Sequence, residues 1–223
     1  MWRGAAPSPP EAFRARLAGV APRFGLALSK VSLEAMARYL ALLDLWRRQT
    51  NLTGRLGLAD LVAHALESAL GERLIPDGAE VIDIGSGAGF PGVPLAIVRA
   101  DIRVTPVEPR RKRVEFLKRV AEEVPVENLL VPGTGLRAFP PRFADVATAR
   151  AVGSVDRLLA DAPFLKPGGL FLAWTTDASW LARRLLPHFS FEGGLPVPMS
   201  RRKAIASFRK TGPRVPRETE RVS

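Results

Sequence analysis

Val81-Ile82-Asp83-Ile84-Gly85-Ser86-Gly87-Ala88-Gly89-Phe90-Pro91-Gly92 is the stretch whose reading decides the fold. Four residues dominated by apolar side chains predict a short buried strand. The glycines after them predict a tight turn, and the apolar run Phe90 to Ala100 predicts a helix. Glycine lets the backbone come close to a ligand and take positive φ. In an open α/β sheet the ligand crevice lies at the carboxyl ends of the strands, which is where this turn stands. A dinucleotide fingerprint needs G-x-G-x-x-G, but the third glycine counted from Gly85 would fall on Phe90. A phosphate-binding P-loop is excluded, because no Gly-Lys-Ser/Thr follows. The spacing present is G-x-G-x-G.

Working outward, strands and helices alternate. Ile102 to Val107 predicts a second strand and Arg110 to Glu123 a second helix burying Val114, Leu117 and Val120. Asn128–Val131 and Ala144–Thr148 read as strands. Val155–Phe164 reads as a helix, Leu170–Trp174 as a strand after Pro167-Gly168-Gly169, Trp180–Leu186 as a helix and Ala204–Phe208 as the last strand. Alternation of this kind predicts a doubly wound, mostly parallel sheet, and the fold class is α/β. Upstream, Ser8-Pro9-Pro10-Glu11 has the spacing of a capping box. Leu33, Met36, Ala37, Leu40, Leu43 and Trp46 share one helical face, and Leu58–Leu70 makes a third helix ended by Gly71. The expected organisation is a helical region over 1–72, an α/β domain over 73–211 and a basic, flexible tail over 212–223.

Glu108 ends the second strand. A carboxylate there can accept both ribose hydroxyls of a nucleoside held by the glycine turn. Asp83 reads as an orienting residue that hydrogen-bonds loop amides rather than as a base. Phe90 reads as a ligand contact beside the alternative of plain core. His64 and His188 read as packing or capping residues.

The 223 residues are 47% hydrophobic and 25% charged, which suits a globular protein with a real core. No apolar run reaches the roughly 18–20 residues of a membrane span. Met1 to Pro7 lacks the long apolar stretch of a secretory leader, so the cytoplasm is the expected location. With no cysteine, disulfides, thiolate–zinc sites and cysteine nucleophiles are excluded, and the two histidines stand far apart, so no metal site is expected. Lys and Arg number 33 against 22 Asp and Glu, a net charge of +11 that favours a polyanionic partner beside the plainer reading of a solvated surface. The basic residues cluster at Arg110-Arg111-Lys112-Arg113, Arg183-Arg184, Arg201-Arg202-Lys203 and from Arg209 to Arg221. The first and third clusters are the candidate RNA-binding residues, the alternative for the first being a solvated helix face.

The G-x-G-x-G turn looks like the S-adenosylmethionine (SAM) loop of class I methyltransferases, whose sheet is Rossmann-like and seven-stranded. The longer stretch Gly85 to Ile97 closely resembles the bacterial 16S ribosomal RNA guanine-N7 methyltransferases, also called glucose-inhibited division protein B. Asn51-Leu52-Thr53 with His64 and Glu67-Ser68, and Thr148-Ala149-Arg150-Ala151-Val152, resemble two further motifs of that family, so the likeness runs from about residue 30 to about 210. The resemblance implies SAM as cofactor, 16S ribosomal RNA or the small subunit as partner, and a guanine as methyl acceptor; a monomer is expected. It implies that Gly85, Gly87, Gly89 and Phe90 line the SAM pocket and that Gly135 and Leu136 form its adenine side. It places Arg150 beside the methionine carboxylate or the incoming RNA, as the candidate for orienting either, with a structural ion pair as the alternative. The chain departs from the family at Gly135-Leu136, where Ala-Glu is usual, at Thr175-Thr176, where Lys-Gly is usual, and at Glu67, where Asp is usual.

Guanine N7 carries a free in-plane lone pair. Its attack on a methyl sulfonium releases no proton from the nucleophile, so such an enzyme needs alignment more than a general base. The sequence shows no obvious acid–base pair. Two other readings stay open: a methyltransferase acting on a small molecule or protein, and a non-catalytic RNA-binding assembly protein that kept the fold.

Overall fold

The computed structural model describes residues 6–50, 52–54, 56–150, 159, 162–185 and 188–211. The expected helix over 155–164 and the tail over 212–223 lie outside the described residues, apart from Leu159 and 162–164.

Three helices come first: α1 (Pro10–Val20), α2 (Lys30–Trp46) and α3 (Leu58–Ala69). The capping box expected at Ser8 does not form. The helix starts one residue later, with Pro9 as its N-cap and Pro10 in its first position, and no side chain caps it. The Ser8 N–H donates instead to Asp44 Oδ2 at 2.9 Å, tying the leading segment to α2. Ser29 caps α2 by accepting from the Ser32 N–H.

The alternating part follows as β1 (Glu80–Ile84), α4 (Gly92–Val98), β2 (Arg103–Val107), α5 (Arg111–Glu123), β3 (Ala144–Arg150), β4 (Leu165–Thr175), α6 (Ala178–Leu185), β5 (Phe189–Pro196) and β6 (Ala204–Lys210). Among the described residues the sheet has six strands in the order β2-β1-β3-β4-β6-β5. The β2-β1-β3-β4 portion is parallel, and β6 runs antiparallel to both β4 and β5, so the sheet is mixed.

Two differences from the expected sheet have physical reasons. Asn128–Val131 forms no strand. It lies along β2 through a single bridge, Val104 to Leu129, while the Asn128 side chain donates to the carbonyls of Ala96, Arg99 and Ile102. β5 carries no apolar alternation because it is an edge strand, mostly exposed and interrupted by Gly193 and Gly194.

Side chains alternate between the two faces of the sheet. Val81, Val104, Val146, Leu172 and Trp174 pack with α1 to α5 in one core cluster. Ile82, Ile84, Ala147, Phe171 and Phe208 pack with Leu159, Leu181 and Leu185 on the other face. The N-terminal helices therefore share a core with the sheet. Phe13 and Leu17 of α1 are fully buried there, each contributing roughly 1.5–3 kcal/mol of burial. Because β1 and β3 are neighbours while the chain leaves β1 toward β2, the strand order reverses between β1 and β3. The carboxyl ends of β1, β2, β3 and β4 thus surround one crevice.

Candidate functional site

The turn after β1 is held by its neighbours on both sides. Gly85, Gly87 and Gly89 all take positive φ, at 69°, 60° and 98°. The amides of Gly85 and Ser86 donate to the Val107 carbonyl at 2.8 and 3.3 Å, which fastens the turn to the end of β2. The Gly87 amide donates to Glu108 Oε2 at 3.0 Å, and the Arg110 amide to Glu108 Oε1 at 3.0 Å. Arg113 lies 3.5 Å from Oε2. Glu108, only 4% exposed, is thus fixed in the crevice beside the glycine turn. A carboxylate oxygen has two lone pairs, so acceptor capacity remains for a ligand.

Asp83 is fully buried under the turn. It accepts from the Gly92 N–H at 3.1 Å and from Thr148 Oγ1 at 2.8 Å. Burial pushes its carboxyl up to about 6, against the pull of these hydrogen bonds. The expected contact with loop amides is made at the first residue of α4, while in the turn the Gly85 and Ser86 amides go to Val107 and the Gly87 amide to Glu108. Tyr39, reaching over from α2, donates to the Ala88 carbonyl at 2.7 Å.

Three cavities concern the site, the first of them at this turn. The first, of about 560 Å³, is almost wholly apolar and is lined by Ile84, Gly85, Val107, Pro109, Gly135 and Leu136 among others. It brings Gly135 and Leu136 into one cavity with Gly85. Leu136 begins a short 3₁₀ turn, Leu136–Ala138, and offers an apolar side chain where a carboxylate is usual. Ser86 Oγ, in the turn, is buried beside Asp83, whose carboxyl its hydroxyl helps to hold down. An apolar nucleoside-sized cavity and a carboxylate at the end of β2 fit a nucleoside.

The second cavity, of about 320 Å³, is lined by Glu67, Arg150, Trp174, Thr175, Thr176 and Lys203 among others. Arg150, at the end of β3, donates to Glu67 Oε2 at 2.9 Å, to the His64 carbonyl at 3.0 Å and to Ser68 Oγ at 3.1 Å. Its guanidinium also lies 5.7 Å from the centre of the Phe90 ring. Phe90, 8% exposed, meets Tyr39 and His64 edge-on at 5.7 and 5.9 Å. Phe90 therefore joins the turn to Arg150. His64 is a packing residue, and burial pushes its imidazole down to about 4, with Arg150 adding to the shift.

The third is a cleft of about 420 Å³ between the α2–α3 connection and the start of α5, lined by Gln49, Thr50, Leu52 and Arg110 to Arg113. The structure keeps Arg110, Arg111, Lys112 and Arg113 together on this cleft. It divides the other basic cluster: Arg201 and Arg202 are exposed on a bend, while Lys203 turns inward and contacts Glu67 Oε1 at 2.7 Å. In the sequence Glu67 stands only as part of a motif. The signal that marks it is the carboxylate on the buried face of α3, which must find a cation when that face is covered. No group of three or more metal-ligating side chains occurs among the described residues.

The sequence model of the family described as rRNA small subunit methyltransferase G (GidB) matches residues 32–180. A ribosomal RNA small subunit methyltransferase G of Coxiella burnetii is 30% identical over 152 residues, 67% of this chain and 74% of that one. The protein of that name from Thermobifida fusca is 45% identical over 112 residues, 49% of this chain and 47% of that one, and the match to the Frankia alni protein covers 44% of its length. The chain thus spans about half the length of several of the curated relatives it matches. Among solved structures, a SAM-dependent methyltransferase from Aquifex aeolicus superposes with a TM-score of 0.54 at 15% identity, covering 66% of this chain and 89% of that one. A tRNA methyltransferase from B. subtilis superposes with a TM-score of 0.54 at 18% identity, covering 67% and 65%. These two likenesses establish the fold. With the family model covering two thirds of its length, the chain belongs to the rRNA small subunit methyltransferase G family.

Proposed function

We propose that this chain transfers the methyl group of SAM to N7 of a guanine in small-subunit ribosomal RNA, in the cytoplasm. The observation that carries the reading is that two unlike cavities open at the ends of neighbouring strands, where Ile84 of β1 lies opposite Ala149 of β3. One is an apolar pocket at Gly85, and the other is a mixed pocket around Arg150, whose guanidinium lies 5.7 Å from the centre of the Phe90 ring. SAM, when bound, supplies an electrophilic methyl group on a sulfonium.

In this reading Glu108 accepts the ribose hydroxyls and Gly85, Gly135 and Leu136 enclose the adenine. Gly87 and Gly89 let the turn approach the cofactor, Asp83 holds the turn to α4, and Phe90 shields the methyl-transfer site from water. Arg150 lines the second cavity and orients the methionine end of the cofactor or the acceptor. No base is required at N7. Arg110 to Arg113 take backbone phosphates in the cleft beside Gln49 and Thr50, and Arg201 and Arg202 extend that basic surface. The family match and the net charge of +11 support a ribosomal RNA acceptor.

The test is methyl transfer from labelled SAM to small ribosomal subunits taken from cells that lack this enzyme, followed by nucleoside analysis. Label is expected in 7-methylguanosine. SAM binding without such label would overturn the acceptor assignment.

A further inference from the structure

The cavity at the carboxyl ends of β3 and β4 is built around one carboxylate whose two oxygens are held very differently. Arg150 holds Oε2 and is itself fixed by the His64 carbonyl, Ser68 Oγ and the Phe90 face, with its side chain 14% exposed. Lys203 holds Oε1 through one 2.7 Å contact, with its side chain 42% exposed. Trp174 walls the cavity and fixes the backbone of Glu67, its indole N–H donating to the Glu67 carbonyl at 2.8 Å. Glu67 itself is 8% exposed in its side chain. The cavity, at about 320 Å³, is at the lower end of the range for small-ligand pockets, roughly 300–1,000 Å³.

We propose that Glu67 reads the acceptor base as guanine, and that Lys203 is a displaceable cap on the same carboxylate; this rests on the methyltransfer reaction proposed above. Guanine presents N1–H and its 2-amino group as two parallel donors on one edge, and a carboxylate accepts both. Adenine presents an acceptor at N1 and no 2-amino group, so it leaves the carboxylate unpaired. Guanine O6, next to N7, is an acceptor that suits Arg150. Enzymes that act on a base held out of its stack recognise it by this edge.

The cap has a physical reason. A buried carboxylate with a free oxygen is costly, so the free protein needs a cation on Oε1. A lysine ammonium is strongly hydrated and sits on a flexible stem, and a half-exposed pair of this kind is weak. A donor edge entering the cavity therefore displaces Lys203 from Oε1 and shares Oε2 with Arg150, through that oxygen's second lone pair. The released ammonium stays at the mouth of the cavity, where the phosphates of the nucleotide arrive.

The test uses the full chain saturated with S-adenosylhomocysteine, so that the cavity at Gly85 is filled, and measures binding of GMP, IMP and AMP by calorimetry. All three carry the same phosphate, so their ratios report the base alone. Wild type is expected to prefer GMP over AMP by about tenfold or more, with IMP, which lacks the 2-amino group, in between. Glu67→Gln brings the GMP-to-AMP ratio close to one. Lys203→Met raises the ratio, because only guanine competes with the cap. A wild-type ratio near one, or a ratio unchanged in Lys203→Met, overturns the proposal. If 7-methylguanosine still forms on ribosomal subunits in those cases, the reaction stands and the base-reading role alone falls. If none forms, the reaction falls and this inference with it.

Discussion

Gly92 lies so close to Asp83 that a β-carbon on it would stand 2.7 Å from Asp83 Oδ2, the oxygen that its own N–H reaches at 3.1 Å. The closeness lets a buried carboxylate under the glycine turn grip the first residue of α4. Gly92→Ala is therefore expected to push Asp83 off its hydrogen bonds and to destabilise the fold by about 1–3 kcal/mol, the usual cost of overpacking. SAM affinity should fall with it, since the turn above is displaced. Urea unfolding and calorimetric titration with SAM check both.

Asp83 and His64 give the stability of the protein opposing dependences on pH. The Asp83 carboxyl is raised by burial from 3.8 to about 6, so between those values the folded state binds more protons and stability falls as pH rises. The His64 imidazole is lowered from 6.5 to about 4, so over that window the unfolded state binds more protons and stability rises with pH. Asp83→Asn removes the first dependence, and the midpoint of unfolding should then climb more steeply from pH 4 to pH 6 than in wild type. His64→Gln should reverse that change. Denaturation midpoints at three pH values suffice, and parallel curves for all three proteins would contradict the assignment.

The Glu108 carboxylate accepts from two backbone amides, and its neighbours Val107 and Pro109 line the apolar cavity. Glu108→Ala is expected to weaken SAM binding by about tenfold or more, as for loss of hydrogen bonds to a charged group. Arg110 and Arg111 lie outside the cofactor cavity, and replacing them should leave this affinity unchanged.

Binding to ribosomal RNA should respond in the opposite way. Arg110→Ala and Arg111→Ala are each expected to reduce the slope of log affinity against log salt by about one, the signature of one lost phosphate contact. Glu108→Ala should leave the slope as it is. Filter binding of small-subunit RNA across a salt series measures this.

His64 is neutral above pH 5, because its imidazole stands at about 4. The rate of methyl transfer should therefore show no step near 6.5, and His64→Gln should keep the same flat profile. A step that vanishes in this variant would give His64 a chemical role.

Much of this protein is written locally. A β-strand followed by glycines and a helix is a pattern within twelve residues, and the ending of the second strand at Glu108 is equally local. The sequence alone therefore determined the α/β class, the glycine turn after the first strand and the pairing of that turn with an acidic residue. It missed β5, an exposed edge strand containing Gly193 and Gly194, since a strand without a buried face has no alternation to read. It overstated Asn128–Val131, which is held by the Asn128 side chain and a single bridge instead of a ladder, with Leu129 buried and Leu130 exposed. Only the tertiary structure decided the second cavity. Glu67 lies 83 positions from Arg150 and 136 from Lys203, and they meet because α3 packs over the carboxyl end of β3 while the β4–β6 register pairs Thr175 with Ala204, the neighbour of Lys203. Along the chain, Lys203 is indistinguishable from Arg201 and Arg202. In space it is the residue of the three that answers a buried carboxylate, because a charge removed from water must be met by whichever opposite charge the fold brings within reach.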